Sequence, residues 1–372
     1  MKLLHISDLH IGKRVKGFSL IEDQKYILEQ IITAAKDNNV DGIIIAGDIY
    51  DISMPSNEAV VCFDNFISDI HSLGISCYVV SGNHDSIYRV AFGSNIMAKE
   101  NIYFAKKYTG KLEPIEAAKD INIWLLPFMR PADVRDFHSD FSIGNYDEMV
   151  QTVIKNADID EKKTNILVAH QFVTYSGKAP EISESETVSL GTLDNVEASD
   201  FDKFDYVALG HIHKPQAMGR DTVRYAGSPL KYSFSEKDDK KAMVLLDVSG
   251  KKINIEFIPY KPLRDMKEFK GTYEELSKLP KTDDYVSLVL KDENMIIDIK
   301  HKLENIFTNI MEIRYENAFT SKNNSADKAQ FIEQKTPLEL FEGFYEVQNN
   351  KKLDGEHKKI VKEIFEEMEE AE

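Results

Sequence analysis

Five short polar segments, each placed directly after an apolar run, constrain the fold of this chain more than any other feature. They are Asp8-Leu9-His10, Gly47-Asp48-Ile49-Tyr50-Asp51, Gly82-Asn83-His84-Asp85, His170 and Gly210-His211-Ile212-His213. Together they hold half of the 10 histidines in the chain. Such a concentration of imidazole, carboxylate and amide groups is typical of a metal-binding site rather than of a packed interior.

The apolar runs before these segments alternate with helical patterns, which predicts an α/β fold. Strands are expected at 2–7, 42–46 and 76–80, separated by helices over 23–37 and 57–73. This order implies parallel strands with right-handed crossovers, and sites in such sheets form at the carboxyl ends of the strands. We therefore expect the first three polar segments to lie together at one edge of a sheet.

The following residues repeat this arrangement. Strands are predicted at 121–126, 165–169, 206–209, 224–226 and 242–248. Two of these strands lead directly into His170 and His211, so both histidines are expected at strand ends. The polar stretch 176–193 is interpreted as a surface loop. Val60 and Val61 are placed on the buried side of the second predicted helix.

A change in composition after Pro259 and Pro262 predicts the domain boundaries. We expect a first domain over 1–262, a small α/β domain over 263–330 and an acidic tail over 331–372. The small domain is predicted to contain strands at 285–290 and 311–315 and an amphipathic helix over 296–310.

The tail contains two amphipathic stretches. The first places Leu338, Phe341, Phe344 and Tyr345 on one face, and the second includes Ile364 and Phe365. Short amphipathic helices outside the main core often dock on a partner. Packing back onto the same chain is equally compatible with the spacing, so both interpretations stay open.

The five polar segments supply enough ligands for two cations that share one carboxylate. Side chains two apart on a strand share a face, so an Asp-x-His pair can bind one ion. We assign the first cation to Asp8, His10, Asp48 and His213, and the second to Asp48, Asn83, His170 and His211. Mixed nitrogen and oxygen ligands without thiolates favour Mn²⁺, Fe²⁺ or Zn²⁺, with Mn²⁺ the expected working ion. Two such cations activate water and clamp a phosphoryl group for in-line attack.

His84 is adjacent to the predicted ligand Asn83 and is not needed as a ligand. We therefore expect it to stabilise the transition state or to protonate the leaving oxygen. A catalytic imidazole needs a partner that fixes its tautomer and orientation. Asp51 is the first candidate for that partner and Asp85 is the second.

Composition limits how this chain could bind DNA and in which compartment it would work. The formal net charge of −17 is unusual for a protein that grips DNA by neutralising phosphates, so any grip on DNA must come from local basic residues, cations or a partner. Cys62 and Cys77 lie in apolar segments and are interpreted as buried free thiols, which predicts a reducing cytoplasm. No signal peptide or membrane-spanning run is expected.

The five segments resemble those of the calcineurin-like metallophosphoesterase superfamily, which includes protein phosphatases, nucleotide phosphodiesterases and DNA nucleases. Ile52 stands where the protein phosphatases carry an arginine, which disfavours that branch. Further segments are similar to the bacterial SbcD nuclease family. They are Phe204-Asp205-Tyr206-Val207-Ala208-Leu209-Gly210-His211-Ile212-His213-Lys214-Pro215, Tyr225-Ala226-Gly227-Ser228-Pro229-Leu230, Ser233-Phe234-Ser235-Glu236 and Gly82-Asn83-His84-Asp85-Ser86, together with Leu340-Phe341 and Phe344-Tyr345 in the tail.

The resemblance implies a β-sandwich core flanked by helices, a small capping domain that recognises DNA, and C-terminal helices. It implies Mn²⁺-dependent DNA cleavage, by an exonuclease on duplexes and an endonuclease on single strands and hairpins, in DNA end processing, replication, repair and recombination. The implied partner is the SbcC ATPase, whose coiled coil would receive the C-terminal helices in a heterotetramer of two nuclease and two ATPase subunits. The nuclease domains would form a homodimer through helices, here the one over 57–73. A cytoplasmic, nucleoid-associated protein is implied.

Other interpretations of the same residues stay open. Lys13, Arg14 and Arg89 lie near the polar segments and are candidates for contacts with DNA, although a solvated surface charge is the simpler interpretation of each. The alternative function is a stand-alone phosphodiesterase acting on small substrates, which would not need the tail over 331–372. A repair scaffold with an inactive site is disfavoured, because every ligand position is filled.

Overall fold

The computed structural model describes residues 1–138, 142–186 and 195–316, together with Phe341, Gly355, Lys358 and Val361. The strands of these residues are β1 (Lys2–Ile6), β2 (Arg14–Val15), β3 (Phe18–Ser19), β4 (Gly42–Ala46), β5 (Ser76–Val80), β6 (Ile102–Phe104), β7 (Pro114–Ala118), β8 (Ile121–Leu126), β9 (Thr164–His170), β10 (Phe172–Thr174), β11 (Asn195–Glu197), β12 (Tyr206–Gly210), β13 (Gln216–Met218), β14 (Arg220–Tyr225), β15 (Ala242–Ser249), β16 (Lys252–Pro259), β17 (Met266–Gly271), β18 (Thr282–Leu290) and β19 (Phe307–Tyr315). The helices are α1 (Ile21–Asp37), α2 (Asn57–Ser72), α3 (Ile87–Val90), α4 (Ser94–Met97), α5 (Pro131–Arg135), α6 (Tyr146–Lys155), α7 (Tyr273–Leu276) and α8 (Ile299–Leu303).

Two six-stranded sheets form the larger part of the molecule. The first has the order β16-β15-β1-β4-β5-β6, and the second has the order β13-β14-β12-β9-β8-β7. In the first sheet β1, β4, β5 and β6 run parallel, and in the second β8, β9, β12 and β14 do. The antiparallel strands lie at the margins of both sheets. The parallel crossovers expected from the sequence are confirmed.

The two sheets pack face to face, because their central strands are apolar on both faces. The layer between them includes Leu3, Ile44 and Tyr78 from the first sheet and Val168 and Ala208 from the second, each no more than 1% exposed. Helices α1 and α2 cover the outer face of the first sheet, and α6 covers the outer face of the second. This arrangement confirms the predicted α/β sandwich flanked by helices.

A third, all-parallel sheet of three strands, β17-β18-β19, follows the sandwich along the chain. It buries its own apolar cluster against α7 and α8, with Val286, Leu288, Leu303 and Phe307 at its centre. We call residues 266–315 the cap. No helix in the described ranges is long and apolar enough to cross a membrane.

Two predictions about helices are wrong. The helix expected over 296–310 ends at Leu303, because Phe307 and Ile310 pair with β18 as part of β19. Their spacing of three residues fits a helix, but tertiary pairing overrides it. Val60 and Val61 are 43% and 57% exposed, so the apolar stripe of α2 is wider than the surface it buries.

A buried carboxylate on α1 holds the cap against the sandwich. Asp23, 1% exposed, accepts hydrogen bonds from Arg264 Nε at 3.0 Å and from the Tyr285 hydroxyl at 2.7 Å, and Arg264 Nη2 lies 2.8 Å from Asp23 Oδ2. Further along α1, Gln30 exchanges two hydrogen bonds with the backbone of Lys261, at 2.6 and 3.0 Å. Because a two-pronged arginine–carboxylate contact fixes orientation as well as distance, α1 holds the segment that leads into the cap, and the Tyr285 hydroxyl ties the cap itself to the same carboxylate.

We expect Asp23→Ala to destabilise the protein by about 3 kcal/mol, because it leaves Arg264 and the Tyr285 hydroxyl without their buried partner. Urea denaturation followed by circular dichroism measures the change. The matched control is Glu22→Ala, whose carboxylate pairs with Lys25 at the surface and whose loss is expected to cost under about 0.5 kcal/mol. Equal stability of the two variants would contradict the anchoring role.

Candidate metal centre

The carboxyl ends of five parallel strands meet at one edge of the sandwich and carry all the predicted ligands. Strands β1, β4 and β5 lead into the first three polar segments, β9 ends on a histidine, and β12 leads into the last segment. The residues brought together are Asp8, His10, Asp48, Asn83, His84, His170, His211 and His213. The first sheet thus contributes the carboxylates, and both sheets contribute imidazoles.

The backbone at four of these residues adopts an unusual conformation. The φ angles of Asp8, His10, Asp48 and His211 are 54°, 43°, 48° and 103°, in the region that residues with a side chain rarely occupy. Each costs on the order of 1–3 kcal/mol, so the surrounding structure must hold it in place. Part of that support comes from backbone hydrogen bonds between the first two loops, Asp8 N to Gly47 O and His10 N to Asp48 O, at 3.0 and 2.9 Å.

Glycines permit the close packing of these loops. A Cβ atom at Gly47, whose φ is 89°, would collide with the ring of His170, and one at Gly210 would collide with the carbonyl oxygen of Ala46. These two glycines therefore serve the approach of one sheet to the other rather than chain flexibility.

Asp48 lies at the centre of the cluster. Its Oδ2 is 3.5 Å from His10 Nε2 and 3.3 Å from His170 Nε2, and its Oδ1 accepts the backbone N–H of His84 at 3.0 Å. Burial opposes ionisation, but the charge of the neighbouring His170 holds the pKa of Asp48 well below its ordinary value. A carboxylate that contacts imidazoles on both sides has the placement required of a bridging ligand.

The second predicted ligand set is held together through Asn83. Its Oδ1 is 3.0 Å from both His170 Nε2 and His211 Nδ1. His170 Nδ1 donates to the Ala46 carbonyl at 2.8 Å, which orients the ring with Nε2 toward the cluster. Burial opposes protonation of His170, but the negative charge of Asp48 raises the pKa of His170 to about 9. Burial and the positive charge on His170 together lower the pKa of His211 to about 3.

The first predicted ligand set contains buried polar atoms that have no hydrogen-bond partner among the described residues. Single nitrogen or oxygen atoms of Asp8, His10 and His213 lie within 4.8 Å of one another, and His10 Nε2 is 3.1 Å from His213 Nε2. Asp8 Oδ2 and His10 Nδ1 are buried and make no hydrogen bond to any residue that the structure describes, and burial raises the pKa of Asp8 to about 7. Buried polar atoms of this kind need a partner. The donor set of imidazole, carboxylate and amide groups fits a divalent transition metal.

The structure places His84 beside the cluster and pairs it with the expected residue, Asp51, through a backbone atom rather than through the carboxylate. His84 Nδ1 is 2.8 Å from the backbone oxygen of Asp51, so the ring donates to a carbonyl through Nδ1 and does not use Nε2 in this contact. The Asp51 carboxylate points elsewhere, 2.7 Å from Lys13 Nζ and 3.5 Å from His10 Nδ1. Burial opposes ionisation of Asp51, but the contacts to His10 and Lys13 lower its pKa to about 2.

Asp85, the second candidate partner, does not contact the ring of His84. Its carboxylate accepts the backbone N–H groups of Ile49, Tyr50 and Gly82 at 3.1, 3.0 and 2.9 Å. Asp85 therefore ties the loop after β4 to the loop after β5, and its role is to shape the backbone around Asp48.

The candidate DNA-contacting residues differ in their surroundings. Lys13 is held by Asp51 and is only 14% exposed in its side chain. Arg14 and Arg89 are exposed and each donates to one backbone carbonyl, that of Gly17 at 2.6 Å and that of Ser53 at 2.7 Å. Of the predicted partner-binding residues, Phe341 is described; the rest, Leu338, Phe344, Tyr345, Ile364 and Phe365, lie outside the described residues.

Gln24 is a site-supporting residue that the sequence interpretation missed. It is buried on α1, its amide donates to the carbonyls of Leu9 and His10 at 3.1 and 2.7 Å, and its oxygen accepts the Gly12 N–H at 2.9 Å. The Tyr232 hydroxyl also donates to Leu9, at 2.6 Å. A signal for Gln24 was present, since it lies in the apolar stripe of its helix, where an amide needs polar partners.

Comparison with known families identifies the class of protein. The calcineurin-like phosphoesterase family matches residues 1–215, the part of the chain that carries all the predicted ligands. This chain belongs to the calcineurin-like phosphoesterase family and is a phosphoester hydrolase.

A second match covers residues 262–349 and narrows the class. It is to the SbcD C-terminal domain, described as the type 5 capsule protein repressor C-terminal domain. The two domains in this order support an SbcD-type nuclease. The family uses divalent metals, in agreement with the chemistry of the ligand set.

Solved structures similar to this chain include two distant ones. A dimetal phosphatase from Danio rerio is 10% identical, with 70% of this chain and 99% of that chain covered and a TM-score of 0.38. A protein from Thermus thermophilus is 11% identical, with 69% and 98% covered and a TM-score of 0.37.

We expect Mn²⁺ to stabilise the folded protein by about 2.7 kcal/mol at a hundredfold excess over its dissociation constant, because the unfolded chain has no assembled site. Asp48→Asn is expected to remove most of this gain, since the central carboxylate is lost. Thermal denaturation with MnCl₂ and with a chelator measures it. His301→Ala, at an exposed histidine of the cap, is the control and should keep the full gain. An undiminished gain in Asp48→Asn would count against the bridging role.

Proposed function

We propose that this protein is a Mn²⁺-dependent DNA nuclease, the catalytic subunit of a complex with the SbcC ATPase. The observation that carries the proposal is the convergence of seven nitrogen and oxygen ligands and His84 at one sheet edge, in a chain that also matches the SbcD C-terminal domain. The proposed ligands are Asp8, His10, Asp48 and His213 for one cation and Asp48, Asn83, His170 and His211 for the other. The expected activities are exonuclease on duplexes and endonuclease on single strands and hairpins.

The side chains of the proposed site have different roles in phosphoester hydrolysis. Two bound divalent cations would lower the pKa of water and neutralise charge on the phosphoryl oxygens. Asp48 holds a negative charge between two imidazoles, and Asn83 adds an oxygen without adding charge. His84 donates through Nδ1 to the Asp51 carbonyl, so its Nε2 is free to stabilise the reacting phosphate or to pass a proton to the leaving oxygen. Asp51 thus acts on His84 through its backbone.

Because the chain is acidic, few of its basic side chains are available to contact DNA. Arg14 and Arg89 are the proposed contacts, because they are exposed and not ion-paired among the described residues. Lys13 is a weaker candidate, since Asp51 neutralises it. The cap, anchored beside the site through Asp23, is the proposed recognition domain. With a net charge of −17, most phosphate neutralisation would come from the ATPase partner and the cations.

The central test is cleavage of a labelled DNA hairpin and duplex with Mn²⁺, with and without SbcC and ATP, beside a generic aryl phosphodiester. DNA cleavage that rises with SbcC and ATP supports the proposal. Hydrolysis of the aryl ester with no DNA cleavage under any condition would instead favour a stand-alone phosphodiesterase.

In the same assay we expect His84→Ala to lower DNA cleavage by about 10²–10⁴-fold, the usual contribution of a general acid, while Mn²⁺ and DNA binding persist. Calorimetry and a gel-shift assay measure the binding. His301→Ala is again the control. Near-normal turnover by His84→Ala would refute its catalytic role.

We further propose that the nuclease domain forms a homodimer through α2 and the short helices after β5. Val61 on α2 and Tyr88, Phe92 and Ile96 are 57%, 69%, 83% and 72% exposed, and they are the apolar side chains that the proposed dimer would bury. Phe92→Asp should shift the protein from dimer to monomer in sedimentation experiments, and a wild-type monomer at micromolar concentration would contradict the proposal.

The tail over 331–372 is the proposed docking segment for the coiled coil of SbcC, through Leu338, Phe341, Phe344, Tyr345, Ile364 and Phe365, in a complex of two nuclease and two ATPase subunits. The match to the SbcD C-terminal domain supports this assignment. Co-purification of SbcC with the full chain, but not with a chain ending at residue 330, is the expected outcome. Equal recovery of SbcC with both would refute the docking role.

A cytoplasmic, nucleoid-associated location is proposed with this function. Cys62 and Cys77 are both buried free thiols, as expected in a reducing compartment. Fluorescence microscopy of a tagged chain tests the location, and a signal away from DNA would contradict it.

A further inference from the structure

The predicted ligand His213 is held by a buried polar network that the proposed chemistry does not use. Its ring nitrogen Nδ1 is 2.7 Å from the hydroxyl of Ser185, and that hydroxyl donates to Glu236 Oε1 at 2.6 Å. The side chain of Glu236 is fully buried, and His213 is 2% exposed. A carboxylate hidden this deeply next to the site needs a structural or functional reason.

Glu236 is fully occupied as an acceptor. Its Oε2 is 2.7 Å from the ammonium of Lys241, and its Oε1 accepts from the Tyr232 N–H and the Ser233 hydroxyl, each at 3.2 Å, as well as from Ser185. Lys241, 8% exposed, also donates to the backbone oxygen of His213 at 2.7 Å and to another buried hydroxyl. The same ion pair therefore contacts His213 twice, through the ring and through the backbone.

The direction of these hydrogen bonds determines the tautomer of His213. A serine hydroxyl has one hydrogen, and here Glu236 accepts it, so the Ser185 oxygen must accept from the ring. Nδ1 of His213 therefore carries the proton, and Nε2 carries the lone pair. That Nε2 is the nitrogen that faces His10, at 3.1 Å.

We propose that Ser185, Glu236 and Lys241 are positioning residues that fix the tautomer and orientation of His213 for binding the first cation. The inference rests on the proposed metal site, and it assigns a role to the Ser233-Phe234-Ser235-Glu236 segment and to one residue of the polar loop after β10. Loss of such a hydrogen-bond partner of a ligating imidazole typically weakens metal binding by about 10–100-fold.

The first test is the tautomer of His213 in the metal-free protein. Histidine-selective ¹⁵N labelling and NMR should show His213 with its proton on Nδ1 in the wild type. In Ser185→Ala this preference should be lost, because the acceptor for Nδ1–H is removed while the Glu236–Lys241 pair is kept. A wild-type ring protonated on Nε2 would overturn the proposal.

The second test is calorimetric titration with Mn²⁺. We expect Ser185→Ala to weaken one of the two binding events by about 10–100-fold and to leave the other unchanged. Ser185→Thr keeps the hydroxyl and should restore the affinity. Ser277→Ala, which removes a hydroxyl bonded within the cap, is the matched control. Wild-type affinity at both sites in Ser185→Ala would overturn the positioning role.

Glu236→Gln provides a second variant, expected to weaken the same binding event, because a carboxamide cannot hold both Ser185 and Lys241. Should this buried substitution prevent folding, Ser185→Ala decides alone. Failure of the proposed function is distinguishable: a wild-type protein that binds two Mn²⁺ without cleaving DNA overturns the nuclease assignment, and a weaker binding event in Ser185→Ala then still supports the positioning role. If the wild type binds no Mn²⁺, the NMR measurement still decides the tautomer.

Discussion

The buried negative charge of Asp48 is the constraint on which the rest of the site depends. A carboxylate that is 2% exposed is stable only if positive or polar groups surround it. His10 and His170 lie on two sides of it and the His84 N–H on a third, and these residues come from four different strand ends. The strained backbone of the loops and the glycines that let the two sheets approach follow from bringing these groups to one point.

The residues predicted as ligands come together in the structure because each follows or ends a strand whose limits are encoded locally. The strands Gly42–Ala46 and Ser76–Val80, which lead into Asp48 and Asn83, have the predicted bounds, since short apolar runs between turn residues permit little else. Parallel order then requires their carboxyl ends to share an edge. What spacing cannot provide is which atom of a residue makes the contact. Asp51 meets His84 through its carbonyl, and its carboxylate neutralises Lys13.

Contacts made by loops and by long-range packing were beyond sequence reasoning. Ser185 lies in a polar stretch that reads as solvent-exposed, yet it bonds to Glu236, 51 residues later in the chain. Likewise, the spacing of Phe307 and Ile310 fits a helix, and only pairing with the neighbouring strand β18 makes this segment a strand. In both cases the deciding partner is far away in sequence, so no local pattern records it.

Asp23 and Gln24 are adjacent residues of α1 that serve different parts of the molecule. Asp23 binds Arg264 and Tyr285 of the cap side, and Gln24 binds the loop that carries Asp8 and His10. Since one helical turn bears both contacts, a displacement of α1 would disturb the anchor of the cap and the support of the loop of Asp8 and His10 together. Coupling of this kind is reciprocal: a cation that binds the loop more tightly when the cap is docked must stabilise the docked cap by the same free energy.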